Sequence, residues 1–132
     1  MKAVLDACVI YPPVLRAILL SAARAGLYTP VWSDRILEEW ARAADRRGDG
    51  SGDAARAEAQ AMRAVFPAAT TAPRPAIEAR LHLPDPADIH VLASAVASGI
   101  STYSLCMRWP RMSALRTGLK VPYPTYRVTS AH

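Results

Sequence analysis

The sequence predicts an α/β protein, a three-layer α/β/α sandwich with a central parallel sheet. Three observations carry that prediction. Short β-rich apolar runs alternate with longer stretches of helical periodicity, helix-opening Ser, Asp and Pro and helix-closing Gly stand at the junctions, and acidic residues follow the strand ends. Consecutive strands joined through helices pair in parallel, and their helices cover the sheet.

Residues 2–6 form the first expected strand, which ends on the carboxylate of Asp6. Tyr11-Pro12-Pro13 opens a helix carrying Val14, Leu15, Ile18, Leu19 and Ala22, and Gly26 stands where it stops. Residues 27–32 make a second strand, after which Ser33 caps a helix with Ile36, Leu37, Trp40 and Ala44 on one face. Gly48-Asp49-Gly50-Ser51-Gly52 is a loop within the domain, since both its flanks are Ala/Arg-rich. A helix is expected over 53–66, and the proline-rich run 67–75 crosses the surface. Residues 77–83 carry little pattern. Asp85-Pro86 opens another helix, with Ile89, Val91, Leu92, Ala95 and Val96 apolar and Gly99 at its end. Residues 100–105 fit a strand and 110–116 a helical turn or two. No internal repeat is visible.

Composition narrows the class further. A chain of 132 residues, 52% hydrophobic, is expected to fold as a single domain over 1–132, with a core that needs no disulfide or metal staple. Disordered, collagenous and disulfide-scaffold classes are excluded. No apolar run reaches the roughly 18–20 residues of a membrane span. Asp6 interrupts any secretory apolar region, so a cytoplasmic location is expected. Cys8 and Cys106 follow no metal-ligand spacing and read as small core residues. Sixteen Lys plus Arg against eleven Asp plus Glu, net +5, permit a polyanionic partner.

The carboxylates carry the chemistry. An open parallel sheet binds its ligands beyond the carboxyl ends of its strands, where Asp6 falls. A helix cap or turn explains Asp6 equally well. Glu38 and Glu39 follow the second strand; being about 100° apart on a helix, only one can face a common site. Asp85 is the natural cap of its helix, and Asp88, in the first turn beside an apolar face, is placed to coordinate a cation. Three carboxylates from three βα units would form a negative pocket that a hard divalent cation neutralises. Oxygen ligands without a His/Cys cluster favour Mg²⁺ or Mn²⁺ over Zn²⁺. Other candidates have simpler readings: His90 packs locally, Arg16 forms a salt bridge ahead of any phosphate contact, and Trp32 and Trp40 face the core.

The ordered set Val4-Leu5-Asp6-Ala7-Cys8-Val9-Ile10, Gly26-Leu27-Tyr28, Trp32-Ser33-Asp34-Arg35-Ile36-Leu37-Glu38-Glu39, Phe66-Pro67 and Leu83-Pro84-Asp85-Pro86-Ala87-Asp88-Ile89-His90-Val91-Leu92-Ala93 resembles PIN-domain proteins, nearest to VapC-like toxins. The resemblance spans roughly the first hundred residues. It implies a PIN fold, a Mg²⁺- or Mn²⁺-dependent endoribonuclease acting on RNA, and a cognate antitoxin protein; relatives commonly form homodimers. The family's acids fall on Asp6, on Glu39 with Glu38 as fallback, and on Asp88, while Asp85 matches an additional acidic position. Asp6, Glu39 and Asp88 are thereby implied as catalytic metal ligands, and Asp85 as a further metal ligand. The chain departs from the pattern after Asp88, beyond which no Asp or Glu occurs, and Arg108 stands where the family carries a fourth acid. That departure implies a weakened nuclease, a module that binds RNA or antitoxin without cleaving, or a C-terminal reading frame altered relative to the family.

Overall fold

The computed structural model describes residues 1–83 and 85–100. The elements expected beyond Ile100, Cys106 and the position of Arg108 lie outside the described residues. Strand β1 is Lys2–Val4. Helix α1 (Ala7–Ile10) and helix α2 (Pro13–Arg24) lead to β2 (Thr29–Ser33). Next come α3 (Asp34–Asp45), α4 (Ser51–Val65), β3 (Thr70–Thr71) and α5 (Pro75–Glu78). A 3₁₀ turn (Pro86–Asp88) then runs into α6 (Ile89–Ala97).

The strands pair in parallel in the order β1-β2-β3, with Val4 opposite Val31 and Ser33 opposite Thr71. This is the α/β architecture the sequence predicts. Pro30 sits in the middle strand without breaking it. Thr29 donates to the Met1 carbonyl and Leu5 donates to that of Val31, so residues 29 and 31 bond towards β1. The alternate residues 30 and 32 point towards β3, which begins opposite Trp32, so the N–H that Pro30 lacks has no ladder partner to lose.

Strand alternation puts Val31 and Trp32 on opposite faces. Trp32 joins a large core with Leu5 and Ile10 from the first βα unit, Ile36, Leu37 and Trp40 from α3, and Ala55, Ala59 and Met62 from α4. Val31 packs with Ala95 of α6 and with Ile100. Trp32 and Trp40 are therefore core residues, as expected. Helix α2 stops at Gly26 and α6 before Gly99, both at positive φ (78° and 69°), a conformation that glycine adopts without strain.

Three expectations are corrected. The first strand ends at Val4, because Asp6 caps the short helix α1 that directly follows it. The run 67–75 contains a third strand; two residues show no periodicity, and β3 is held by pairing with β2 and by the Thr71 hydroxyl donating to the Trp32 carbonyl at 3.3 Å. Cys8 is exposed rather than in the core, and its Sγ donates to Asp6 Oδ2 at 3.0 Å.

Candidate active site

Helix α6 fixes the direction of the site. Lys2 Nζ donates to the Ser98 carbonyl at 3.2 Å, so the end of α6 lies beside the start of β1. The beginning of α6, with Asp85, Asp88 and His90, therefore lies towards the carboxyl edge of the sheet, where Asp6 follows β1 and α3 follows β2.

Asp6 Oδ1 accepts from the Ala7 N–H at 2.7 Å, and its backbone carbonyl accepts from Val9 and Ile10 at 3.0 Å each. The side chain is thus both a helix cap and a carboxylate at the strand end. Asp85 Oδ1 accepts from the Ala87 N–H at 2.9 Å and caps the 3₁₀ turn that carries Asp88. Ser33, the last residue of β2, accepts from the Ile36 N–H at 3.3 Å, which starts α3 at the sheet edge.

The two adjacent glutamates diverge, as helical geometry requires. Glu38 turns to α4, where Arg56 binds it at 3.4 Å, and Arg42, one turn further along α3, binds it at 3.2 Å. The guanidinium of Arg56, and then that of Arg42, hold its carboxyl below the ordinary value. Glu39 turns to α6. Its Oε2 lies 3.1 Å from His90 Nε2, and its Oε1 accepts from Arg35 Nε at 3.1 Å. The His90 approach is within ion-pair distance but is not an aligned hydrogen bond. Both ring nitrogens lack a hydrogen-bond partner among the described residues, although the side chain is buried, only 3% exposed.

Arg16 takes the structural role. Its Nε and Nη2 bind the two oxygens of Glu58 at 2.6 and 2.7 Å, Nη1 donates to the Ile10 carbonyl at 2.6 Å, and the guanidinium lies 4.7 Å from the centre of the Trp40 ring. A salt bridge across α2 and α4 consumes the charge.

The oxygen donors at this edge suit a hard divalent cation in chemistry. Among the described residues, no three His, Cys, Asp or Glu side chains come together in a group that could hold one. Glu39 already carries Arg35 and His90. The structure therefore brings Glu39 towards the start of α6 and aligns Asp6 and Asp88 along the same edge, without closing the three into a cluster. Sequence reasoning missed a cleft of about 240 Å³ beside them, where Ser33, His90 and Ser94 meet the segment 72–75 and Glu78. His90 and Ser94, four residues apart on one helix face, were its only sequence signal.

A parallel α/β sheet with acidic residues along its carboxyl edge defines the general class. A family model described as PIN domain matches residues 2–102, and the chain belongs to that family, a nuclease-type fold. Comparisons with the curated proteins and with the solved structures found no match. No helix among the described residues is long and apolar enough to cross a membrane.

Proposed function

We propose that the chain is a Mg²⁺- or Mn²⁺-dependent endoribonuclease of the VapC toxin type, folded as one domain over 1–132 and neutralised by a cognate antitoxin. The observation that carries this reading is the approach of Glu39 to His90, which brings the acid of α3 to the helix that begins at Asp88. Asp6, Glu39 and Asp88 would hold the cation, with Asp85 assisting through water or acting as cap alone. A bound divalent cation supplies a lowered pKa for water and offsets the charge that builds on the phosphodiester. Asp6 is fixed for this task by its cap, and Glu39 must exchange Arg35 for the cation. The exchange frees Arg35 at the rim, where its guanidinium can bind a substrate phosphate. Homodimerisation and a cytoplasmic location accompany the proposal.

Glu39→Gln in the purified protein tests it. Cleavage of RNA in Mn²⁺ should fall about a hundredfold or more, the scale of losing one group that stabilises transition-state charge. Wild-type rates in that variant would remove Glu39 from the site. A second reading, a PIN module that binds RNA or antitoxin without cleaving, is favoured by the absence of any acid after Asp88. It predicts no rise in melting temperature with Mn²⁺, whereas a working site is stabilised by about 2.7 kcal/mol at a hundredfold excess of ligand over Kd.

A further inference from the structure

We infer that the cleft behind Glu39 is a base pocket for one unpaired guanine of the RNA, with the adjoining phosphate on Arg74. The inference rests on the ribonuclease reading and adds to it the part of the substrate that this surface selects.

The cleft is lined by Ala72, Pro73 and Pro75 from one segment and by Ala93 of α6 from another, so it offers small apolar surfaces to a flat ligand. Its volume, about 240 Å³, lies below the roughly 300–1,000 Å³ of pockets for drug-sized ligands. One heterocycle fits this space and a base pair does not. Unpaired RNA bases are splayed out and read on their edges in this manner.

The polar groups specify more. His90 lines the cleft, is buried, and has no hydrogen-bond partner for Nδ1 among the described residues. A buried imidazole nitrogen left unpaired costs about 1–3 kcal/mol, which a ligand atom recovers once the ring turns towards the cleft. The Ser33 hydroxyl accepts from Ile36 and so retains its proton for donation, whereas Ser94 spends its own on the His90 carbonyl at 2.9 Å. Glu78, half-buried, makes no ion pair among the described residues and only accepts. An acceptor with two oxygens matches a base edge with two adjacent N–H donors. Guanine presents that pair at N1 and N2, and the other three bases do not. Arg74, exposed at the rim without an ion pair among the described residues, supplies the cation for the phosphate.

The test is titration of the full chain, with EDTA present, by the four nucleoside monophosphates and by inorganic phosphate, reading the ¹⁵N shifts of the His90 ring. Without metal no cleavage enters the readout, so a failed nuclease assay and a failed base pocket are separate results. GMP should move the His90 nitrogens saturably and bind most tightly. Arg74→Ala should weaken all four nucleotides about tenfold, the scale of one charge-assisted hydrogen bond. Glu78→Gln, at the half-buried end of α5, should bring GMP down to the affinity of AMP. The inference is overturned if no nucleotide moves the His90 signals, if phosphate alone moves them equally, or if Glu78→Gln leaves the guanine preference intact.

Discussion

Replacing Arg16 by Met tests how the site edge is supported. The side chain is 12% exposed and joins four partners: Glu58 through two bonds, the Ile10 carbonyl at the end of α1, the Tyr11 carbonyl at 3.3 Å and the Trp40 ring. Met keeps the aliphatic stem and its packing on Trp40. Glu58 is 42% exposed, so losing the ion pair costs only about 0.5–1 kcal/mol after solvent screening. The charge-assisted bond to the Ile10 carbonyl adds about 1.5 kcal/mol and the cation–π contact about 1 kcal/mol. Removing the cost of desolvating a guanidinium returns part of this. The net expectation is a loss of about 2–3 kcal/mol, near 10 °C in Tm for a chain of this size. Urea unfolding followed by circular dichroism measures it, with the slope unchanged. A variant within about 0.5 kcal/mol of wild type but with weakened RNA binding would refute the structural assignment and give Arg16 to the phosphate.

Other outcomes follow from the same contacts. Arg56 lowers the pKa of both Glu38 and Asp45, so these carboxylates stabilise the α3–α4 pair above their ordinary values, and the contribution is lost as pH falls through the lower folded values. Arg56→Met should flatten the dependence of Tm on pH below about 5; an unchanged slope would discard the linkage. Asp85→Ala should cost about 1 kcal/mol of stability as a lost cap, and a rate loss near tenfold, the low end for a group acting through water. Asp88→Asn should reduce cleavage about a hundredfold or more, and equal kinetic effects at the two positions would merge their roles.

The helices were the most legible part of the chain. Pro13, Ser33, Gly26 and Gly99 mark their ends through backbone chemistry that needs no tertiary context. Strand β3 was not legible, because Thr70 and Thr71 are ordered by their neighbours on β2 rather than by a pattern of their own. Helix α1 hid for a related reason: four residues hold little periodicity, and the signal was Asp6 acting as cap. The divergence of Glu38 and Glu39 was predictable from the helical angle, but their partners were not, since Arg56 and His90 lie 18 and 51 residues away. Cys8 was misplaced because composition treats thiols as apolar, whereas this one follows a strand end and binds the Asp6 carboxylate. The cleft escaped notice because its walls come from three separated segments.

The most direct measurement is RNA cleavage by purified wild type and Asp6→Asn in Mn²⁺, with EDTA as control. Asn caps a helix as well as Asp does, so α1 and the fold are kept while the carboxylate charge is lost. The account predicts cleavage by wild type that EDTA abolishes, and a folded Asp6→Asn protein about a hundredfold slower or worse. Cleavage by Asp6→Asn at the wild-type rate, or cleavage that persists in EDTA, would contradict it.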